Sequence, residues 1–589
     1  AYLLAKQGYP VTVFEAFHQL GGVLRYGIPE FRLPNELIDD VEKKITSLGG
    51  KFVTNFIVGK TTTLEALKRA GFWKIFIGTG AGLPRFMNVP GEHMNGILSA
   101  NEFLTRVNLM KAHQKDYETP LPEVRNKQVI VIGGGNTAMD AARTARRLGG
   151  NVTIVYRRTK EEMPVRVEEL HHATEEDIQL KELRAPREFI GNEKTHFVTH
   201  TNLDIMKLGE PDASGRRRPV ATGDTEEMPV DLVIMALGNA SNPIVKDAEP
   251  ELKTSKWGTI EVRPGSQETS MDNVFTGGDA NRGGSTAIKA AGDGMQAAKE
   301  IADEVPFTDS EIRSLVATAE RYTQLGQAPQ RIIKRIELAE GIVELVVYSP
   351  LIARSAKAGQ VVRMLAWEKG ELIPLTLADW DAKQGTIDLV IQGLGSSSMM
   401  INLMQEGEAF AGIAGPLGLP SNLHRYENGE TVVFTAGGVG LPPVFPIMRE
   451  HLRLGNHVTL ISGFSANPYT KIHGYPCFID GLLQRVERRL RRVGTQNQYS
   501  DIVHLLCFKA SQLVAHHPHR AGRDAGKYQQ DRVRVDLVGG AYGKAAGRPR
   551  ILEHALQFDT ADDVRVLAIA EFGQAGPLLV AVIDVTGCH

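Results

Sequence analysis

The chain has 589 residues, 42% of them hydrophobic, with 67 Lys and Arg against 69 Asp and Glu. Such a length holds roughly three to five domains. The near-neutral balance gives no field for general nucleic-acid binding, and no apolar run reaches the roughly 18 residues of a membrane span, so a soluble cytoplasmic protein is expected. Its three cysteines, Cys477, Cys507 and Cys588, cannot build a disulfide framework and match no zinc or iron–sulfur spacing; none lies in the first 470 residues, which excludes a redox-active Cys-x-x-Cys there.

Taken in order, Ala1–Gln7 reads as the end of a helix and Val11–Phe14 as a strand. Glu15 then sits where a dinucleotide fold places the carboxylate that grips ribose hydroxyls. The strand and glycine loop that normally precede it would lie upstream of residue 1, so the chain reads as clipped at its N-terminus; an ordinary surface helix and strand is the alternative. GGVLRYGIPEFRLP (21–34) and FIGTGAGLPRFMNVPGE (76–92) follow.

Residues 129–158, VIVIGGGNTAMDAARTARRLGGNVTIVYRR, are the most informative stretch. A β-branched run, Val129–Ile132, leads into Gly133, Gly135 and Ala138, the G-x-G-x-x-A form of the dinucleotide fingerprint. The glycines let the backbone turn and approach a pyrophosphate, and the predicted helix Thr137–Leu148 aims its N-terminal N–H groups and dipole at that anion. The second strand, Asn151–Tyr156, ends in Arg157 and Arg158 where an NAD site would carry an acid; two cations there suit the 2′-phosphate of NADP. A solvated strand end is the alternative for this pair.

With EEMPVRVEELHHA (161–173), MALGNASNP (235–243) and VFTGGDANRGGSTAIKAAGDGMQAA (274–298), residues 1 to about 305 resemble the NADPH-dependent small subunit of glutamate synthase and its relatives. These include the large subunit of NADH-dependent ferredoxin:NADP oxidoreductase and the flavin region of dihydropyrimidine dehydrogenase. The resemblance implies that Glu15, Gly21, Gly22, Val23, Arg32 and Val58 line the adenosine side of an FAD. It puts Gly278, Asp279, Thr286, Ala287 and Ile288 over the ribityl chain and flavin. NADPH would be held by Gly133, Gly134, Gly135, Asn136, Thr137 and Ala138 with Arg157, Arg158 and Arg166, and Ala236, Leu237 and Gly238 would stand behind it.

Residues 306–330 read as a linker with a helical stretch over Asp309–Tyr322. Short strands with turn residues between them then point to an antiparallel barrel: Arg335–Glu340, Glu344–Tyr348, Gln360–Trp367, Ile373–Ala378 and Thr386–Gln392. IPLTLAD (373–379), GLGSSS (393–398), GPLG (415–418) and GGVG (437–440) resemble the ferredoxin–NADP reductase superfamily, particularly the electron-transfer subunit of dihydroorotate dehydrogenase. That resemblance implies a second FAD on Pro374, Leu375, Thr376 and Gly415, and NAD facing Gly437, Gly438 and Gly440. Leu372 and Ile373 stand where the superfamily carries a cation before the proline. Beyond about residue 465 the pattern is lost, through divergence or a reading-frame artefact. Gly481–Val493 fits an amphipathic helix, and the three histidines of 514–522 fit a loop better than a metal site.

The expected fold class is α/β: two nested dinucleotide-binding, Rossmann-like domains, then a ferredoxin-reductase-like antiparallel β-barrel and a partial α/β nicotinamide domain. The divisions are 1–115 and 239–305 for the two parts of the first FAD domain, 116–238 for the NADP domain, 306–330 for the linker, 331–428 for the barrel and 429–589 for the last domain. The expected activity is hydride transfer between NADPH and FAD. Electrons then pass to an iron–sulfur protein or a glutamate synthase large subunit, with no side-chain acid, base or nucleophile, because the cofactor carries the chemistry. Two alternatives remain: a relative whose acceptor is ferredoxin, polysulfide or quinone, and a non-enzymatic remnant that binds no flavin.

Overall fold

The structure is a computed structural model and describes residues 1–211, 217–302, 306–426, 431–464, 503–509 and 579–580. Its first unit pairs β1 (Thr12–Phe14) in parallel with β2 (Lys51–Val53), Val13 lying opposite Phe52. Strand β3 (Ile75–Ile77) pairs in parallel with a strand two hundred positions on, described below. Between them the chain leaves through β4 (Leu83–Pro84) to build a second sheet from β5 (Ile97–Ser99), β6 (Gln128–Ile132), β7 (Asn151–Val155) and β8 (Gln179–Lys181). A long antiparallel meander of β9 (Arg184–Gly191), β10 (Val198–Pro211) and β11 (Arg217–Pro229) follows, then β12 (Leu232–Met235). The chain returns through β13 (Asn239–Ala240), antiparallel to β4, and closes the first unit with β14 (Val274–Thr276), the partner of β3.

The inserted sheet is parallel in the order β5-β12-β6-β7-β8. β6 and β12 are apolar along nearly their whole length and almost fully buried, as strands covered on both faces must be. The helix Asn136–Arg147 lies on one face through Ala138, Met139, Ala141, Ala142 and Ala145, all at 0% exposure. A row of alanines lets helix and sheet approach closely. The helix ends where Gly149, at φ +94°, donates to Arg146 O and Gly150 donates to Ala145 O, a left-handed glycine stop. The sequence-based boundary at residue 116 falls too late for this sheet, because β5 already pairs with β12 through Leu98 and Ile234.

The expected linker is a docked helix, Asp309–Gln327, longer than the predicted 309–322 and started by a Thr308–Glu311 capping box. Its Tyr322 ring packs with Phe14, Phe56 and Phe72 of the first unit, at centroid separations of 6.4, 6.3 and 6.1 Å.

The second half holds two antiparallel sheets around one core. One has the order β15-β16-β20-β19: β15 (Ile332–Ala339), β16 (Ile342–Tyr348), β20 (Thr386–Gln392) and β19 (Asp379–Asp381). The other is β18 (Leu372–Thr376), β17 (Val361–Leu365) and β21 (Gly412–Leu417). Val347, Val362, Met364, Ile387 and Leu389 meet at 0% exposure between them. A parallel sheet of order β24-β23-β22-β25 follows, made of β22 (Thr431–Gly437), β23 (His457–Phe464), β24 (Val503–Lys509) and β25 (Leu579–Val580). The expected helix 481–493, the histidines of 514–522, Cys477 and Cys588 lie outside the described residues. Among the described residues no helix is long and apolar enough to cross a membrane.

Candidate functional site

The inserted sheet offers the clearer candidate site. Gly133 turns at φ +143°, and a Cβ on it would stand 2.3 Å from the Ala236 carbonyl oxygen. Gly134 is held just as closely, since its Cβ would meet the Tyr156 ring at 2.6 Å, while nothing lies within 4 Å of a Cβ on Gly135. The first two glycines are therefore demanded by packing, and the third leaves open space above the helix start. Gly135 is the N-cap and has no side chain to cap with, so the N–H groups of Asn136 and Thr137 at the head of a twelve-residue helix are left for an anion. Ala138 is buried in the core beneath them. Asn136 Oδ1 accepts from Arg166 N at 3.5 Å, which brings exposed Arg166 over that helix end. Ala236 donates to Ile132 O, Leu237 packs on the core behind, and Gly238 turns at φ +83° with nothing within 4 Å of its would-be Cβ. These residues fit a dinucleotide pyrophosphate.

The arginine pair divides. Arg157 is exposed at the end of β7, whereas Arg158 is 8% exposed and donates from Nε to Arg217 O at 2.9 Å. Only the first faces solvent. Sequence reasoning treated them alike because it could not see the β11 strand that claims Arg158.

The second candidate site lies in the first unit. Glu15 accepts from Phe17 N at 3.0 Å, and its own N–H donates to Val53 O. Burial raises its pKa against the lowering effect of the Phe17 and Ala16 N–H groups and of Arg363. Gly21 and Gly22 turn at φ +116° and +53°, the latter heading the short helix Val23–Tyr26 from which Val23 projects exposed. At the other end, Gly278 turns at φ +64° and donates to Asp293 Oδ2 at 2.9 Å, and Asp293 also takes two hydrogen bonds from Arg282. That Arg282 pairing holds the Asp293 carboxyl below its usual range. Asp279 accepts from Ser285 N and is pushed up by burial. Ala287 opens a sixteen-residue helix with Ile288 exposed on it and Thr286 just before it. The residues fit a second dinucleotide, with a carboxylate, Glu15 or Asp279, toward each end.

Tyr26, which the sequence did not single out, lies within electrostatic reach of both carboxylates. Its pKa is raised by burial first and then by Glu15 and Asp279, and its hydroxyl stands 3.1 Å from a would-be Gly82 Cβ. Asp293 was likewise missed, although a lone acid within the apolar run AAGDGMQAA was the available signal.

Val58 and Arg32, expected on the adenosine side, have these neighbours in the structure. Val58 packs into the hydrophobic clusters on either side of it. Arg32 reaches across to the inserted domain and pairs with Asp140 and, at 3.1 Å, with Glu169. Its neighbour Phe31 lies under two further guanidinium groups, those of Arg143 at 4.8 Å and Arg147 at 4.0 Å. Burial raises the Asp140 pKa to about 6 in spite of Arg32, with Glu169 adding to the rise. The FRLP segment thus joins the first unit to the inserted domain.

In the second half, Gly395 caps the helix Ser396–Leu403, and Ser398 Oγ accepts from Leu394 N and Gly395 N at 3.0 Å each. Pro374 is exposed on β18 with Leu375 and Thr376 half-buried after it. Gly415 precedes a cis proline on β21. Gly437, Gly438 and Gly440 make the turn from β22 into the helix Leu441–Arg453. Arg363 stands directly across the ladder from Pro374, but its guanidinium is turned to the first unit.

Comparison with known proteins places the first half. The pyridine nucleotide-disulphide oxidoreductase family matches residues 1–294. The chain is 37% identical over 305 residues to the NADP(+)-dependent formate dehydrogenase subunit beta of Moorella thermoacetica, covering 51% of this chain and 41% of that protein. It is 36% identical over 303 residues to the glutamate synthase [NADPH] small chain of Azospirillum brasilense, covering 51% of this chain and 62% of that one. To a putative glutamate synthase [NADPH] small chain of Cereibacter sphaeroides it is 35% identical over 303 residues, covering 51% of this chain and 72% of the relative. The chain thus spans less than two thirds of the first two relatives. The matched region contains no cysteine, so dithiol chemistry has no residues to run on there. By this family match and these relatives, the chain belongs to the pyridine nucleotide-disulphide oxidoreductase family, alongside the glutamate synthase small chains.

Proposed function

We propose that the first half is an NADPH-dependent flavoprotein oxidoreductase that moves hydride between NADPH on the inserted sheet and FAD on the first unit, then hands electrons to an iron–sulfur partner. The open head of the helix Asn136–Arg147, capped by Gly135 and without a side-chain cap, carries the reading. A bound nicotinamide and flavin supply the redox chemistry themselves. The chain's residues bind and orient: Asn136 and Thr137 N–H groups take the coenzyme pyrophosphate, and Arg157 with Arg166 takes the 2′-phosphate. Glu15 accepts from ribose hydroxyls and Asp279 from the ribityl chain, while Arg32, Asp140 and Glu169 fix the two units against each other.

The nested arrangement of two Rossmann-like domains belongs to the same proposal, as does a flavin barrel in the second half. There Pro374–Thr376, the Gly395-capped helix and Gly415 would hold a second FAD, with NAD at Gly437–Gly440. Ser398 and the helix it heads support this; the absent cation at 372–373 weakens the pyrophosphate end. The acceptor proposed is an iron–sulfur protein, of which a glutamate synthase large subunit is one kind.

The test is a visible absorption spectrum of the purified full chain, with NADPH and NADH compared as donors to ferricyanide. Flavin bands and faster reduction with NADPH are expected. A protein without flavin bands after incubation with FAD would refute the assignment.

A further inference from the structure

The face on which the second half meets the first unit is built by alternation. Along β17, Val362 and Met364 point into the core of the two antiparallel sheets at 0% exposure, so Arg363 and Leu365 point out. Leu365 is buried against Leu109, Met110, Phe17 and Tyr26. Arg363 reaches into the first unit. Its Nη2 donates to Ala16 O at 3.0 Å, and its guanidinium carbon lies 5.4 Å from the Phe17 ring centroid. Ala16 and Phe17 directly follow Glu15, whose carboxylate is held by the Phe17 N–H.

Two polar atoms beside this turn have no partner. Arg363 Nε and His18 Nδ1 are both buried without a hydrogen bond. Buried donors are rarely left unmet, and each unmet group in a native fold calls for an explanation. Both lie at the turn that follows Glu15, and His18 is within electrostatic reach of Arg363. Glu15 also interacts electrostatically with Arg363, each favouring the charged form of the other.

We propose that Arg363, carried by the second half, is a positioning residue for the adenosine end of the first unit's dinucleotide site: it pins the Ala16–His18 turn and so sets the direction of Glu15. This rests on the reading of Glu15 as the ribose carboxylate. The site is then shaped by two modules, and reciprocity follows: whatever strengthens docking of β17 on the turn strengthens cofactor binding by the same factor, and cofactor binding strengthens docking.

The experiment uses the full chain and FAD as the probe, with affinity read from quenching of flavin fluorescence and folding read from thermal unfolding. Glu15→Gln identifies which binding phase belongs to the first unit. Arg363→Met keeps the bulk and removes the fork; it should weaken that phase about tenfold or more, with the other phase unchanged. Arg363→Lys keeps the charge without the planar fork and should recover only part of the affinity. It carries the test if the methionine variant does not fold. The double variant should lose less than the sum of the two single losses. First-unit affinity within about twofold of wild type in both Arg363 variants would overturn the proposal while leaving the ribose reading standing. An unchanged affinity in Glu15→Gln, or a wild-type chain that takes up no FAD, would overturn the ribose reading and this inference with it.

Discussion

Arg158 Nε donates to the main-chain oxygen of Arg217 at 2.9 Å, so the two arginines that end β7 do different work. Arg158 secures the meander against the inserted sheet, and Arg157 lies exposed just beyond β7. Replacing Arg157 by Ala should cost NADPH about tenfold or more in affinity and leave NADH nearly unchanged, the loss of one charge-assisted contact. Arg158→Ala should lower the unfolding temperature and weaken both coenzymes alike. Equilibrium titrations with each coenzyme separate the two outcomes, and equal losses in Arg157→Ala would remove it from the 2′-phosphate site.

The three glycines of the fingerprint should part in the same way. Gly133→Ala forces a Cβ to 2.3 Å from Ala236 O at φ +143°, so strain of about 1–3 kcal/mol or more should appear as reduced stability. Gly135→Ala meets nothing within 4 Å in the protein. It should fold with an unchanged melting temperature yet bind NADPH poorly, because the added methyl stands where the anion must sit. Melting curves with and without coenzyme give the comparison, and normal NADPH binding by a folded Gly135→Ala chain would argue against the helix-head site.

His18 carries a pH signature. Burial, with Arg363 and Arg25 nearby, depresses its pKa from 6.5 to about 4. The unfolded chain therefore binds the extra proton more readily, and the contribution is fully present above pH 6.5 and lost as pH falls toward 4. Between those limits up to about 3 kcal/mol should disappear from the first unit. Denaturant titrations at steps across this range should show the loss in wild type and a flatter profile in His18→Gln; parallel profiles would show that His18 does not titrate there.

Asp140 works in the opposite sense. Its pKa is raised to about 6 from 3.8, so the folded chain holds the proton more tightly, and this contribution is present below pH 3.8 and lost as pH rises through 6. Asp140→Asn should remove that decline. Because Arg32 keeps Glu169 as a partner, the variant should stay folded at neutral pH. A stability profile unchanged between pH 4 and 6 in the variant would assign the slope to other carboxylates.

What the sequence disclosed was local. The run from Gln128 to Val155 showed its strand, turn, helix and strand because each is specified by neighbours: β-branched residues, glycines, then alanines at helical spacing. The strand that ends just before Glu15 was legible in the same way. What stayed hidden depended on partners far along the chain. Arg158 is claimed by Arg217, Arg32 by Asp140, and Arg363 by Ala16, across 59, 108 and 347 positions respectively. Nothing in the spacing of residues near Arg32 or Arg363 announces such a partner. The docking of the helix Asp309–Gln327 was hidden too, because the aromatic cluster that receives Tyr322 is assembled from Phe14, Phe56 and Phe72.

The inserted sheet leaves and rejoins its host through β4 and β13, and these lie side by side, Asn239 opposite Pro84 and Ala240 opposite Leu83. Entry and exit are therefore a single doorway. A segment of that kind can be gained, lost or exchanged in one genetic event without rerouting the chain that carries it, since the host's own strands β3 and β14 already pair on their own account. The same doorway leaves the inserted domain joined to its host by two adjacent threads, and Phe31 and Arg32 add a second attachment, to Arg143, Arg147 and Asp140, away from the doorway.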